Sequence, residues 1–281
     1  MEIKATDVKA LRDKTGAGMM DCKKALQEAQ GDAQKAERIL KELGLAAAAK
    51  RAGRATNQGR VFSQLAGDRG VLLELTCETD FVAKNKDFLA LGRKLTDTAL
   101  AKGPAAKAED FDGAVKDAIG IIKENMEVRR FGVLTAGAQE LVLDYIHGEG
   151  RIGVLVKFKV SDPGLKANPR IKEVAFDLTL HTAAFAPLFL GREHVPASYL
   201  AEQEAIFRKQ AEGLKKPENV LKGIVQGKVN KHLAEVCFLE QAFIKDSNLK
   251  VSKVLEALAK EVGGQLSISD YLYYKVGEEA S

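Results

Sequence analysis

Residues that could make or break bonds are few in this chain and poorly grouped. Its four histidines have no nucleophile or carboxylate at a recognisable spacing. No His-Glu-x-x-His occurs, the pattern that sets two imidazoles on one helix face around zinc. His181 falls on an amphipathic pattern with no second ligand at metal spacing, which reads as a packed or helix-terminal ring. Cys22, Cys77 and Cys237 are odd in number, far apart and without a Cys-x-x-Cys pair. All three sit on apolar-periodic segments, the setting of buried, reduced thiols. A Gly-x-Ser-x-Gly elbow is absent, and Gly223-x-x-x-Gly227-Lys228 lacks the spacing and the Ser/Thr of a phosphate-binding loop. Gly148-Glu149-Gly150-Arg151-Ile152-Gly153 satisfies Gly-x-Gly-x-x-Gly, but a dinucleotide site needs a helix after it. Here Gly153 opens a β-branched strand pattern, so the glycines read as a tight hairpin turn. The absence of a recognisable active site favours a protein that acts by binding.

The most informative polar run is Glu78-Thr79-Asp80, followed at once by Phe81-Val82. It stands where a strand pattern (Val71, Leu72, Leu73, Leu75) stops and just before a helical one (Phe88, Leu91, Leu95) begins. Two readings are open. Thr79 or Asp80 caps the next helix and Phe81 tucks into the protein's own core. Alternatively, a phenylalanine beside a carboxylate at a strand-to-helix corner forms a protruding tip.

The elements that must position this run follow from periodicity and punctuation. Three short helices occupy the first 45 or so residues. Thr6 is the expected N-cap of the first, which Thr15-Gly16-Ala17-Gly18 breaks; the second runs from Met19 to Gly31. The third is capped by Asp32 and ends at Gly44. Leu45 to Arg54 is alanine-rich and basic, a helical linker with a solvated face. Arg60 to Leu65 and Val71 to Cys77 form a hairpin around Gly67-Asp68-Arg69-Gly70. Helices over Asp87–Lys102 and Glu109–Glu124 are separated by Gly103-Pro104. Val128–Leu134, Leu141–Tyr145 and Ile152–Val160 read as strands, Pro169–Phe185 as a helix. Pro196–Leu214 and Pro217–Val236 are long charged helices joined at Lys215-Lys216, an antiparallel hairpin whose narrow seam is Leu200, Ile206, Val220, Ile224 and Val225. A helix over Val251–Val262 and a strand over Leu266–Val276 complete the chain. Strand–strand–helix–strand thus occurs loosely twice, in Val71–Leu134 and in Ile152–Val276.

Two runs carry a family resemblance. Leu11-Arg12-x-x-Thr15-Gly16-Ala17-Gly18-Met19-Met20-Asp21-Cys22-Lys23-Lys24-Ala25-Leu26 resembles the first signature of the elongation factor Ts family. Glu74-Leu75-Thr76-Cys77-Glu78-Thr79-Asp80-Phe81-Val82 resembles the second, with Thr76 where Asn is usual. His147-Gly148 with Arg151-Ile152-Gly153-Val154-Leu155-Val156, the hairpin arm, and Glu240-Gln241-x-Phe243-Ile244-Lys245-Asp246 extend the likeness over nearly the whole chain. The resemblance implies an α+β fold: a three-helix ubiquitin-associated-type bundle with its basic linker (1–54), then two related core subdomains with antiparallel sheets (55–140 and 141–281). The second carries an inserted antiparallel coiled-coil hairpin at 196–236. It implies a guanine nucleotide exchange factor for elongation factor Tu in translation elongation, not an enzyme, with no cofactor, catalytic residue or metal ligand of its own. Thr79, Asp80, Phe81 and Val82 would form the tip that displaces Mg²⁺; Arg12, Met19 and Met20 would contact the partner from the bundle and His147 from the second subdomain. Adjacent helix positions point about 100° apart, so Met19 and Met20 cannot both be central core residues. A dimer, or a heterotetramer with the partner, fits the family; some members carry a helix after the last strand, a module this chain is expected to lack.

Composition agrees with that class. In 281 residues, 46% are hydrophobic and 29% charged, the make-up of a soluble globular protein. No apolar run approaches the roughly 20 residues that span a bilayer. Met1-Glu2-Ile3-Lys4 has no signal-peptide core. A cytoplasmic place is expected, or an organellar matrix if an import peptide has been removed. A net charge of +4 from 43 basic and 39 acidic residues is too mixed to argue for nucleic acid, and no tryptophan is present for base stacking. The rival readings are a ribosome- or RNA-associated scaffold using the basic linker and the hairpin arm, and an enzyme with an unrecognised site. Salt-steep RNA binding distinguishes the first; turnover without a partner distinguishes the second.

Overall fold

The computed structural model describes residues 3–214 and 216–278. The expected helix break at Lys215 and the terminal residues 1–2 and 279–281 lie outside them. By contact the chain divides into two units: Met1–Thr135 with Ile146–Gly153 and Tyr274–Ser281, and Ala136–Tyr145 with Val154–Tyr273.

The first unit opens with α1 (Ala5–Thr15), α2 (Met19–Glu28) and α3 (Ala33–Arg51). Their small core is Val8, Leu11, Cys22, Ala25, Leu26, Ala29 and Ala36. Gly16 closes α1 in the left-handed region at φ 68°, its N–H donating to the Arg12 carbonyl. Asp32 caps α3, accepting from the Lys35 amide at 3.0 Å. Two expectations need correction. Lys4, not Thr6, is the N-cap of α1; Thr6 is already within the helix, and its exposed hydroxyl donates to the Asp7 carboxylate. Gly44 does not stop α3, which continues to Arg51. Gly44 instead lies against Gly120 of α6 (Glu109–Ile122): a Cβ on Gly120 would sit 2.9 Å from the Gly44 Cα.

The sheet of this unit is β1-β2-β3 in order, from β1 (Gln58–Ala66), β2 (Arg69–Cys77) and β3 (Met126–Thr135), both pairings antiparallel. Ala66 pairs with Arg69, so the hairpin turn is the two residues Gly67-Asp68. Central β2 is buried on both faces. Val71, Leu73, Leu75 and Cys77 meet α5 (Lys86–Lys102) and α6 through Phe88, Leu95, Phe111 and Ile119. Alternation sends Glu74 and Thr76 to the other face. There the fully buried Glu74 pairs with Arg130 at 2.7 Å.

In the second unit lies the greater part of β4 (Glu140–His147), β5 (Ile152–Val160) and β8 (Leu266–Lys275), ordered β4-β5-β8. Val160 donates to the Gln139 carbonyl and Ser161 to that of Gln265, so the end of β5 lies beside the starts of both neighbours and the strands are antiparallel. Both sheets therefore place their second strand in the middle and their last strand at an edge, with helices between. The core joins Val156 and Phe158 of β5 to Ile171, Val174 and Leu178 of α7 (Pro169–Phe185) and Leu258 of α10 (Val251–Val262). A hairpin not expected from the sequence, β6 (Ala242–Phe243) with β7 (Asp246–Lys250), precedes α10.

Helices α8 (Ala197–Glu212) and α9 (Glu218–Val236) run antiparallel: Tyr199 bonds to His232, and Arg208 to Glu218. Their seam is Leu200, Phe207, Val225, Val229 and Leu233. Ile206 and Val220, expected there, are exposed. Position 207 stands seven residues from Leu200, two helical turns, and so shares its face. Among the described residues no helix is long and apolar enough to cross a membrane.

Candidate functional site

Buried β2 delivers the chain to Glu78 in a fixed direction, and Thr79 ends the strand conformation. Thr79 is an N-cap (φ −123°, ψ 155°) for α4 (Asp80–Ala83), its hydroxyl oxygen accepting from the Val82 amide at 3.3 Å. The same hydroxyl donates to Glu124 Oε1 at 2.7 Å, and the Thr79 amide donates to Glu124 Oε2 at 3.0 Å. Below it, the Cys77 thiol donates to the Thr79 carbonyl at 3.1 Å. Burial, with the Glu124 charge nearby, pushes that thiol up to about 12, so it is inert near neutral pH. Asn85 caps the following α5 through the Asp87 amide.

Within this short helix the side chains divide cleanly. Ala83 is buried and Val82 packs half-buried on the first core. Phe81 points away and is 82% exposed. Asp80 is exposed beside it and pairs with Lys84 one turn on at 3.4 Å, a contact of little strength in water. Thr79 therefore does cap the helix, while the aromatic ring lies outside the protein's own core.

Three supports hold the corner from a distance in sequence. Glu78 accepts from the Asn125 amide at 2.6 Å, and Asn125 Nδ2 donates to the Arg54 carbonyl at 2.8 Å. Arg60 Nε donates to the Ala83 carbonyl at 2.7 Å and Arg60 Nη1 to the Glu149 carbonyl, tying α4 to the turn beside His147. Thr76 is fully buried; its hydroxyl bonds Thr56 Oγ1 at 3.0 Å, and Thr56 in turn donates to Glu127 at 2.8 Å. The position where asparagine is usual thus keeps a hydrogen-bonded polar group.

The other sequence candidates are surface residues. Arg12 is exposed on α1, and Met19 and Met20 open α2 at 45% and 62% exposure. His147 is the exposed last residue of β4. After it, Gly148, Glu149 and Gly150 all take positive φ (58°, 56° and 92°), and β5 follows, so no helix opens on these glycines. His181 is buried among Phe185, Phe238 and Phe243, its Nε2 2.9 Å from Gln241 Oε1. Among the described residues no cluster of three or more His, Cys, Asp or Glu could hold a metal ion.

Sequence reasoning missed Glu124, Asn125 and Arg60. Glu124 is 45 residues from Thr79 and Arg60 is 23 from Ala83, so no local pattern marks them. Only the pairing of β2 with β3, which brings Met126 opposite Cys77, places the Glu124 turn under the tip.

Comparison with known proteins gives one consistent answer. The family model described as Elongation factor TS matches residues 78–278. The protein called Elongation factor Ts of Treponema denticola is 48% identical over 277 residues, covering 99% of this chain and 99% of its own. That of Borrelia hermsii is 43% identical over 278 residues, covering 99% of this chain and 100% of its own. That of Treponema pallidum is 41% identical over 288 residues, covering 99% of each. Identity of this order over full length, together with a model match that begins at the base of the exposed Phe81 corner, shows that the chain belongs to the elongation factor Ts family.

Proposed function

We propose that this chain promotes release of GDP from elongation factor Tu, and that it does so by binding rather than by any bond-making of its own. The observation that carries this reading is the ring of Phe81, 82% exposed on a corner whose backbone is hydrogen-bonded from several sides. A GDP-bound GTPase is held shut by phosphate-loop amides and by Mg²⁺ bridging phosphate to protein oxygens. An exchange factor shifts that equilibrium only if it binds the open, nucleotide-free state better than the closed one. Burying the Phe81 ring in a partner pocket is worth roughly 1.5–3 kcal/mol, available only where partner helices have moved. A thousandfold faster release requires a barrier lower by about 4 kcal/mol, so one ring supplies a part of it and other surfaces the rest.

Asp80 brings a carboxylate to the Mg²⁺ surroundings at little cost, because it is exposed and only loosely paired with Lys84. Thr79 and Val82 hold the corner. The three-helix bundle acts as the ubiquitin-associated-type docking module of 1–54, presenting Arg12, Met19 and Met20; flexible methionines suit a contact surface. Segment 55–140 carries the tip. Segment 141–281, with His147 and the α8–α9 hairpin as a coiled-coil arm, grips further faces of the partner.

Stopped-flow release of fluorescent GDP tests the reading. Phe81→Ala should slow stimulated release at least tenfold, the equivalent of about 1.4 kcal/mol, while total affinity changes less. Stability should move within about 0.5 kcal/mol, since the ring leaves no cavity. A folded Phe81→Ala protein that exchanges at the wild-type rate overturns the mechanism.

A further inference from the structure

The Phe81 corner has its foundation outside its own stretch of sequence. A helix of four residues makes too few bonds to hold itself in water, so α4 must be started and kept by its cap. Thr79 is that cap, and both of its donors, amide and hydroxyl, end on the two oxygens of one carboxylate, Glu124. With the hydroxyl O–H directed at Glu124, its oxygen lone pairs are turned to accept from the Val82 amide. The carboxylate therefore sets the rotamer of the cap, the cap starts the helix, and the helix directs Phe81 outward. Charge-assisted bonds of this kind are the strong ones.

The turn that holds Glu124 is itself fixed from the bundle side. Lys123 takes a left-handed conformation at φ 68°. Its carbonyl accepts from Arg51 Nε of α3 at 2.8 Å, and its ammonium lies 3.5 Å from Asp21 of α2, the residue after Met20. On the other side, Asn125 bonds Glu78 and the Arg54 carbonyl. Three consecutive residues thus connect α3 and α2, the helix that carries Met19 and Met20, to the base of the corner that carries Phe81.

We propose that Glu124 is the positioning residue of the tip: without touching the partner, it orients Thr79 and thereby Phe81, and its turn makes the bundle and the tip one preorganised recognition surface. The proposal rests on the exchange reading above. Glu124 is half-buried at the rim of the sheet and contributes nothing to the apolar core, so its removal frays the corner and leaves the fold standing.

The test measures stimulated GDP release over a range of factor concentrations for wild type, Phe81→Ala, Glu124→Ala, Glu124→Gln and the double variant Phe81→Ala/Glu124→Ala, with thermal melts alongside. Glu124→Ala should lower the maximal rate about tenfold, with a smaller change in half-saturating concentration. Glu124→Gln, which keeps one acceptor oxygen, should fall between it and wild type, and it carries the comparison if the alanine variant does not fold. In the double variant the Glu124 change should add nothing to the loss from Phe81→Ala, because both remove the same positioned ring. Wild-type maximal rates for both Glu124 variants beside a slow Phe81→Ala overturn the proposal and leave the exchange reading intact. Fully additive losses overturn it as well, since Glu124 would then act elsewhere. Wild-type exchange by Phe81→Ala overturns both.

Discussion

Phe81 forgoes burial that most phenylalanines obtain, so its outward direction has to be held by polar contacts, and Thr79, Glu124 and Arg60 provide them. His181 shows the opposite arrangement, a polar ring held inside by apolar ones. The Gln241 amide group donates to the Glu235 and Phe185 carbonyls, which turns its oxygen toward His181 Nε2. The imidazole proton therefore sits on Nε2, and buried Nδ1 has no hydrogen-bond partner. Burial pushes this histidine below its ordinary value of 6.5, against a smaller opposing effect of Gln241. The unfolded chain then takes up a proton near pH 6.5 that the folded chain takes up only at lower pH. Stability should fall as pH drops through about 6.5 toward the folded value, and the contribution of this residue to the slope should fade within about one pH unit above 6.5. Urea unfolding at a series of pH values should show a shallower acid slope for His181→Phe than for wild type; parallel curves would contradict the assignment. At this scale the sequence was informative about type and silent about direction. Spacing left Phe81 open between core and surface, because a corner has no period to read. For Met19 and Met20 the 100° between neighbours excludes only that both are central core residues; that both are exposed is read from the structure. Glu124 left no local trace at all, since its role depends on where β3 starts.

Elements with a full period on a buried face were the most legible. The β1–β2 hairpin, α5, α6 and α7 follow from alternation, helical spacing and turn residues, and the first three carry the tip. What was misread had weak or competing signals. The α8–α9 seam was misassigned at Ile206 and Val220 because charged helices with few apolar residues leave the stripe loosely fixed; Phe207, on the face of Leu200, is the residue that packs. The β6–β7 hairpin is too short to show alternation. Gly44 looked like a terminator and is a crossing point, since a glycine that lets two helices approach is written the same way as one that ends a helix. The two glycines at that crossing are not equivalent. A Cβ on Gly120 meets the Gly44 Cα at 2.9 Å, whereas a Cβ on Gly44 meets the Gly120 Cα at 3.6 Å, ordinary contact. Gly120→Ala should destabilise by about 1–3 kcal/mol through overpacking. Gly44→Ala should be neutral or stabilising by up to about 1 kcal/mol, because alanine is the better helix former. Chemical denaturation of both variants checks this, and equal effects would mean that backbone contact does not limit the α3–α6 approach. Because Glu124 follows α6 by two residues, Gly120→Ala should also slow exchange more than its loss of stability explains.

Over the whole molecule the same strand order serves two sheets, β1-β2-β3 and β4-β5-β8, each with its own apolar core. The residues proposed to meet the partner lie on the bundle, the α4 corner and the β4–β5 turn, so on that proposal binding energy would be distributed and no single change should abolish it. Distribution alone would make a tight binder and a poor exchange factor: uniform affinity for closed and open partner shifts no equilibrium. Exchange demands that part of the binding be conditional on partner opening, and linkage makes the demand quantitative. The factor by which this chain weakens GDP on the partner must equal the factor by which GDP weakens this chain on the partner. Titration calorimetry of the chain into nucleotide-free and GDP-loaded elongation factor Tu should give two dissociation constants whose ratio matches the ratio of GDP affinities measured with and without the chain. A coupling of 1–3 kcal/mol corresponds to a ratio of about 5–150. In Phe81→Ala both ratios should shrink together, because the conditional contact is lost, while affinity for GDP-loaded partner stays near wild type. Equal affinity of the wild-type chain for the two forms would show that it binds without opening, and the exchange reading would fall with it.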